Sequence, residues 1–308
     1  MGSIPDISVA VIVINWNGQD FTTACLNSLR KVDFPDFKVF LVDNGSANEE
    51  GKKIKANFPE IDLIETGKNL GFAGGNNVGI RKALEEGFSH VLLLNNDTLV
   101  EPDFLSELVR AAKRHAHAGV IQPLIMFLHN PKEIWSAGGK WVSSLSRAIT
   151  LGDRIPLADL RVKSSSLDWA TGCAMLVSRT AIESAGLLNE QYFVYFEDVE
   201  WSLRIRNAGF SIQLEDRAKI YHEAGASSKK KHAEGTLSPQ VFYYNVRNQL
   251  FIIRSFGNNK VLSLGYHLAK FTLWMGYFLV RRRFAKLKAV IKGIQDGIRT
   301  PLIPGPWR

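Results

Sequence analysis

The 308-residue sequence holds two cysteines, Cys25 and Cys173, far apart, in no CxxC pair and without zinc-like Cys/His spacing. That excludes a disulfide scaffold and a zinc module, and it fits a reducing compartment. The start of the chain lacks the charged region and long apolar run of a secretory leader, because the run at 9–14 is short and β-branched. A cytoplasmic protein is expected. A GxxxxGK[ST] phosphate loop is also missing, and the first strand-to-helix turn offers a lone glycine, Gly18, where a dinucleotide fingerprint needs several. ATP-dependent and nicotinamide-dependent chemistry thereby lose their main support, and no Ser/His/Asp or Cys/His nucleophile elbow is found.

What is present is ordinary globular usage, 45% hydrophobic and 22% charged, enough for one large α/β domain or two small ones. The formal net charge is +8, but residues 247–308 carry 12 basic and 1 acidic residue, leaving the remainder at −3. The basic excess belongs to the tail. It accompanies apolar helical patterning instead of a nucleic-acid-reading module, so no nucleic-acid partner is expected.

Short branched apolar runs at 8–14, 38–42, 61–64 and 90–94 alternate with helical periodicity at 21–30, 77–86 and 102–115. This strand–helix alternation predicts βαβ units in a doubly wound, mostly parallel sheet. Further strands are expected at 120–127, 169–177 and 219–221, and a helix at 198–208 closed by Gly209. Residues 128–167 read as loops or short strands over the end of the sheet.

Ligands of doubly wound sheets bind beyond the carboxyl ends of the strands. Here those ends read Asn15-Trp16-Asn17-Gly18, Asp43-Asn44-Gly45-Ser46 and Asn95-Asn96-Asp97-Thr98. Amides and turn-forming residues are common at such ends, but three polar ends together describe a binding edge. The glycine-rich run 71–79 precedes a helical pattern and reads as a loop whose backbone N–H groups approach a diphosphate. Asp97, a lone carboxylate at a strand end, suits Mg2+ or Mn2+ held partly by substrate phosphates. Glu197-Asp198 opens a helix behind an aromatic run, a setting that raises a carboxylate pKa toward general-base use. His222, after a strand, is a second metal ligand candidate.

Taken in order, VIVINWNG (11–18), VDNGS (42–46), NLGFAGGNNVGI (69–80), LLLNNDT (92–98), TGCAMLVSR (171–179), FEDVEWSLRIRNAGF (196–210) and HEAGAS (222–227) resemble glycosyltransferase family 2, especially its rhamnosyltransferase-like members. The resemblance covers about residues 8–255. It implies a GT-A fold, a nucleotide-sugar donor carrying dTDP or UDP, a divalent metal and inversion at the anomeric carbon. By that resemblance Asn15, Asn17 and Asp43 line the nucleotide pocket, Asn76 and Asn77 lie on the sugar-phosphate side, and Asn95-Asn96-Asp97 stands where the family has Asp-x-Asp. Asp97 then carries over as metal ligand, with Asn95 replacing the first acid and removing one negative charge from the site. His222 carries over as the phosphate-side or metal-side residue and Asp198 as the base. Trp169, Thr171, Gly172 and Glu197 fall on the acceptor side. Tyr243, Arg247 and Asn248 match a frequent Tyr-x-x-x-Arg-Asn feature to which no role is attached. The competing reading is a non-catalytic nucleotide-sugar or saccharide-binding protein of the same fold, prompted by Asn95.

The tail, 236–308, is expected as basic amphipathic helices behind a catalytic domain at 1–235. Residues 241–256 read as one helix. The next run, 261–280, has the length of a membrane span, but Lys270 and His267 near its middle bring the insertion free energy to about zero. A helix lying on an anionic membrane surface, with Arg281–Arg283, Lys286, Lys288 and Lys292 against the lipid, is the expected arrangement, at the inner face of the membrane. The alternative is a C-terminal helical hairpin packed on its own domain or on a second copy, the latter a homodimer through the same helices. The acceptor is expected to be a lipid-linked or cell-surface saccharide.

Overall fold

The computed structural model describes residues 7–161, 166–223 and 234–303. The chain begins with β1 (Val9–Asn15), α1 (Gln19–Leu29), β2 (Phe37–Asp43), α2 (Glu50–Asn57), β3 (Asp62–Glu65), α3 (Gly71–Glu85), β4 (His90–Asn95), β5 (Thr98–Val100) and α4 (Phe104–Arg114). It continues through β6 (Ala118–Phe127), β7 (Ile134–Ser136), β8 (Gly139–Val142), β9 (Arg147–Thr150), β10 (Ser166–Leu167), β11 (Ala174–Ser178), α5 (Arg179–Ala185), α6 (Glu197–Asn207) and β12 (Ser211–His222). Three helices follow, α7 (Pro239–Phe256), α8 (Lys260–Val280) and α9 (Phe284–Arg299).

The main sheet runs β3-β2-β1-β4-β11-β6-β12-β10, with β5 and β7 on its margin. Strands β1 to β4, β6 and β12 share one direction and β11 is inserted antiparallel between β4 and β6, so the expected mostly parallel, doubly wound sheet is what forms. Strand β1 shows why: Val9, Val11 and Val13 face a core shared with α1 and α4, while Ala10 and Ile12 face one shared with α3, α5 and α6. A strand buried on both sides reads as one continuous apolar run.

Three sequence expectations shift. The strand expected at 169–177 begins only at Ala174, because residues 169–173 leave the ladder to line the sheet edge. The strand expected at 219–221 is the end of the twelve-residue β12. The glycine-rich run is not a loop before a helix but the first two turns of α3 itself. Gly71 stands at φ +74, and a Cβ there would meet the carbonyl oxygen of Phe193 at 2.5 Å. The glycine lets another segment of chain close over the helix start.

The C-terminal helices pack as one group. Val246, Leu250 and Ile253 of α7, Phe271 and Phe278 of α8 and Val290 of α9 form a cluster of their own. The opposite face of α7 carries Phe251 and Ile252 against Trp169, Tyr192, Val199 and Leu203. Arg254 donates to the carbonyls of Gly297 and Thr300, and Tyr243 to Asp296, fastening α9 to α7.

Candidate active site

The ladder registers bring the polar strand ends together. Asn15 stands opposite Asp43, and Ile14 opposite Asn95, at the carboxyl edge of β1, β2 and β4. Antiparallel β11 starts at this edge, where the Asn95 N–H donates to the carbonyl of Cys173. Strand β12 ends there with His222 paired to Thr98.

On the β1–β2 side almost every polar atom is satisfied. Asn15 is fully buried; its amide nitrogen donates to Ser46 and Glu50 and its oxygen accepts from Thr22. Asp43 is 4% exposed and accepts from the backbone N–H groups of Ser46 and Gly51, tying down the turn after β2. Asn17, at φ 49, accepts from the Ala47 N–H, and Asn96 donates to Thr22. Between them Trp16 stands 52% exposed. Sequence reasoning assigned no role to Trp16 or to Glu50, whose carboxylate also accepts from the Gly18 N–H; an aromatic inside a polar strand end was the available signal for the first, and none existed for the second.

Asn76 and Asn77, expected on the sugar-phosphate side, have their amide nitrogens bonded within the fold. Both are buried inside α3: Asn76 donates to the Phe72 carbonyl, while Asn77 donates to Leu188 and Glu190 and accepts from the Leu188 N–H. They join α3 to the chain entering the next loop. The free N–H groups at the start of α3 are also taken, since Phe72 and Ala73 donate to the carbonyl of Phe193. A helix N-terminus expected to face a diphosphate is thus closed by the protein's own backbone.

The β4–β11–β12 side is the opposite in character. Asp97 Oδ1 lies 3.2 Å from His222 Nε2, and Asp97 Oδ1 and His222 Nδ1 are buried without a hydrogen-bond partner among the described residues. Burial works against charge on His222, but the adjacent Cys173 and Asp97 lift its imidazole to about 10. Both cysteines are free thiols pushed up by burial, Cys25 to about 12. No group of three or more His, Cys, Asp or Glu side chains among the described residues is arranged to hold a metal ion. A carboxylate oxygen and an imidazole with orphaned buried atoms nonetheless form a donor pair suited to a divalent cation that takes its remaining ligands from a diphosphate.

Facing this pair is the start of α6. Asp198 Oδ2 accepts from the Gly172 N–H at 2.9 Å and Oδ1 from its neighbour Val199. Burial raises its pKa while these N–H groups and Thr171 hold it back, and the residue as a whole is half-buried. Glu197 is 5% exposed, its Oε2 has no partner, and burial together with the neighbouring Asp198 charge pushes it well above the ordinary carboxylate range. Gly172 is required for this approach, since a Cβ would fall 2.8 Å from the Phe72 ring. Thr171 is fixed by Gln122 and Trp169 by the Lys140 carbonyl. The chain reaches α6 through Phe193, Tyr195 and Phe196, all at positive φ (63, 71 and 71), a conformation costing on the order of 1–3 kcal/mol per non-glycine residue.

Residues 224–227 of the HEAGAS stretch and residues 163–165 of the expected serine-rich loop lie outside the described residues.

The carboxyl edge of this sheet gathers a carboxylate–imidazole pair, Asp97 and His222, and two adjacent raised carboxylates, Glu197 and Asp198. The profile described as "Glycosyltransferase like family 2" matches residues 5–234, and the chain belongs to that family. It is 26% identical over 279 residues to the low-salt glycan biosynthesis hexosyltransferase Agl10 of Haloferax volcanii, covering 90% of this chain and 85% of that one. To the dTDP-rhamnosyl transferase RfbF of Shigella flexneri it is 26% identical, with 85% and 86% covered. To the N-acetylglucosaminyl-diphospho-decaprenol L-rhamnosyltransferase of Mycobacterium tuberculosis H37Rv it is 25% identical, with 71% and 77% covered. Among solved structures, S. aureus TarS 1–349 with UDP-GlcNAc superposes at TM-score 0.59 and 18% identity, covering 95% of this chain and 81% of that one. The mannosyltransferase PcManGT of Pyrobaculum calidifontis, in complex with GDP-Man and Mn2+, superposes at 0.57 and 14%, covering 94% and 87%. These likenesses show the GT-A fold. The chain is a glycosyltransferase, not a sugar-binding protein without an activity.

Proposed function

We propose that this glycosyltransferase moves a sugar, rhamnose in the first place, from a dTDP- or UDP-sugar to a hydroxyl of a lipid-linked or cell-surface saccharide, with inversion at the anomeric carbon. The carrying observation is the Asp198 carboxylate, held on the Gly172 N–H one residue before Cys173, whose carbonyl meets the Asn95 N–H at the sheet edge that carries Asp97 and His222. Rhamnose and the lipid-linked acceptor are favoured by the names of two relatives.

The chemistry follows from these positions. Asp198 takes the proton of the acceptor hydroxyl as that oxygen forms its bond to C1 from the face opposite the diphosphate. The C1–oxygen bond to the diphosphate breaks and its electron pair leaves with the nucleotide. One direct displacement gives inversion, and no covalent enzyme nucleophile is needed. When bound, Mg2+ or Mn2+ would sit on Asp97 and His222 and neutralise charge on the departing diphosphate. Trp16, Asn17 and Asp43 frame the nucleotide end, Asn95 and Asn96 the floor beneath the diphosphate, and Thr171, Gly172 and Glu197 the acceptor end. The satisfied hydrogen bonds of the β1–β2 edge favour a preformed pocket.

The cytoplasmic, membrane-surface location rests on α8. No described helix is long and apolar enough to cross a membrane, yet from 261 to 280 every exposed position of α8 is uncharged, with Val261, Leu273, Tyr277, Leu279 and Val280 at least half exposed. Lys260 and Arg281-Arg282 mark the two ends. A charge-free face bounded by cations suits a helix lying in the plane of an anionic membrane.

The test is a panel of dTDP-, UDP- and GDP-sugars with Mn2+, Mg2+ or EDTA and a synthetic lipid-diphosphate saccharide acceptor. Metal-dependent release of dTDP with transfer to the acceptor is expected; release from GDP-sugars alone, or full activity in EDTA, would overturn the donor or the metal assignment respectively.

A further inference from the structure

Arg247 and Asn248 stand on α7, outside the strand edge, and the chemistry above makes no use of them. Asn248 is fully buried, and its amide nitrogen lies within 2.9 Å of three carbonyl oxygens, those of Tyr192, Val194 and Tyr195. Arg247 donates to the carbonyls of Gln191 and Tyr192, and its Nε donates to Asn248 Oδ1, which fixes the amide with its nitrogen toward the loop. The guanidinium itself lies over the rings of Tyr243, Tyr244 and Phe251.

Carbonyls of residues 192, 194 and 195 converge on one nitrogen because the positive φ of Phe193, Tyr195 and Phe196 turns their peptide planes inward. Such a loop is disfavoured on its own and persists when its surroundings over-determine it. The clamp acts from one side, and from the other the Phe72 and Ala73 N–H groups hold the Phe193 carbonyl, while the Phe193 ring stacks on Tyr244. Glu197 and Asp198 follow the strained residues directly.

We infer that Arg247 and Asn248 are positioning residues for Asp198: they hold residues 191–196 in the strained conformation that delivers the carboxylate to the Gly172 N–H. This rests on the reading of Asp198 as the base. It also makes α7 a supporting wall of the active site, tied through α9 by Tyr243 and Arg254, which explains why the Tyr-x-x-x-Arg-Asn pattern occurs at the front of a helix otherwise devoted to apolar packing.

The experiment compares Asn248→Ala and the milder Arg247→Lys with the unaltered full chain, measuring kcat, donor KM, nucleotide binding by calorimetry and the pH profile of kcat. Loss of the clamp is expected to lower kcat by about 10- to 100-fold, as a displaced catalytic group does, with donor KM and nucleotide affinity within about threefold. The acid limb of the profile should move to lower pH, because a loosened loop hydrates Asp198 and relieves the burial that raises it. Arg247→Lys, which keeps a donor, should fall in between. Unchanged kcat and pH profile in Asn248→Ala would overturn the inference, as would a loss of nucleotide binding as large as the loss of kcat in a variant that still melts cooperatively. Should Asn248→Ala unfold, Arg247→Lys carries the same two readings. An Asp198→Asn control that kept full activity would remove the base assignment instead, and an inactive Asp198→Asn beside a fully active Asn248→Ala would leave the base standing and refute the clamp.

Discussion

The two halves of the candidate site are built on opposite terms. On the β1–β2 side, buried Asn15 and Asp43 and half-buried Glu50 have their polar atoms paired to neighbouring N–H groups and side chains. On the β4–β11–β12 side and at α6, His222 Nδ1 and Glu197 Oε2 are buried without a hydrogen-bond partner among the described residues, and Asp97 Oδ1 faces His222 alone. A satisfied half binds by being rigid, whereas an unsatisfied half holds charge ready for a ligand that arrives with the opposite charge. The difference divides labour: recognition of the donor nucleotide belongs to the first half, bond exchange to the second.

The largest effect expected is on the unsatisfied half. Asp97→Ala should lower transfer by about 10^3-fold and abolish stimulation by added Mn2+, while nucleotide binding measured without metal stays close to normal; equal loss with and without metal would erase the contrast. Next comes Gly172→Ala, whose new methyl group meets the Phe72 ring and moves the N–H that holds Asp198. It should cost about 10^2-fold in kcat with donor KM little changed. On the satisfied half, Asp43→Ala leaves two backbone N–H groups without an acceptor, and about 1–3 kcal/mol of stability should be lost in chemical denaturation together with donor affinity.

A smaller prediction reverses the usual sign. Glu197 is raised above its unfolded pKa, so the native fold is favoured by its protonated form and loses that advantage as pH climbs. Glu197→Gln should therefore match the native protein in stability near pH 4 and exceed it increasingly toward pH 8, read as melting temperature across that range. Smallest for chemistry, Leu273→Glu on the exposed face of α8 should weaken flotation with phosphatidylglycerol vesicles severalfold and leave turnover of a short soluble acceptor unchanged. Persistence of flotation, with dissociation of a dimer in sedimentation, would assign that face to a second copy.

Much of this architecture was legible beforehand because it depends on period and order. Strands buried on both faces read as apolar runs, helices α1, α3 and α4 followed from 3.6-residue periodicity while the short, polar α2 did not, and the motif order placed Asp97, Asp198 and His222 on one edge. What escaped depends on tertiary contact. Nothing in the glycine run 71–79 reveals that Gly71 makes room for Phe193, which turns an apparent phosphate loop into the closed start of a helix. The burial of Asn76 and Asn77 depends on the chain near Leu188, over a hundred residues away. Residues 169–173 were branched and aromatic enough to read as strand, yet the Thr171 and Gly172 N–H groups are satisfied by Gln122 and Asp198 instead of by a ladder. Helix α9 went unassigned because its interrupted pattern, with Gly293 and Gly297 set against α7, makes sense only once α7 is beside it. Positive φ at Phe193, Tyr195 and Phe196 contradicts residue preference altogether, and such conflict is expected where a loop is shaped for function.

The central claim is that Asp198 takes the acceptor proton from within the unsatisfied half. Single-turnover transfer by Asp198→Asn, compared with the native protein across pH 4–9 with nucleotide affinity measured in parallel, tests it most directly. The account predicts unaltered nucleotide affinity, a loss of about 10^2- to 10^4-fold in the transfer rate, and an acid limb in the native protein, above the ordinary carboxylate range, that the variant lacks. A variant that transfers at the native rate with the same acid limb would contradict it.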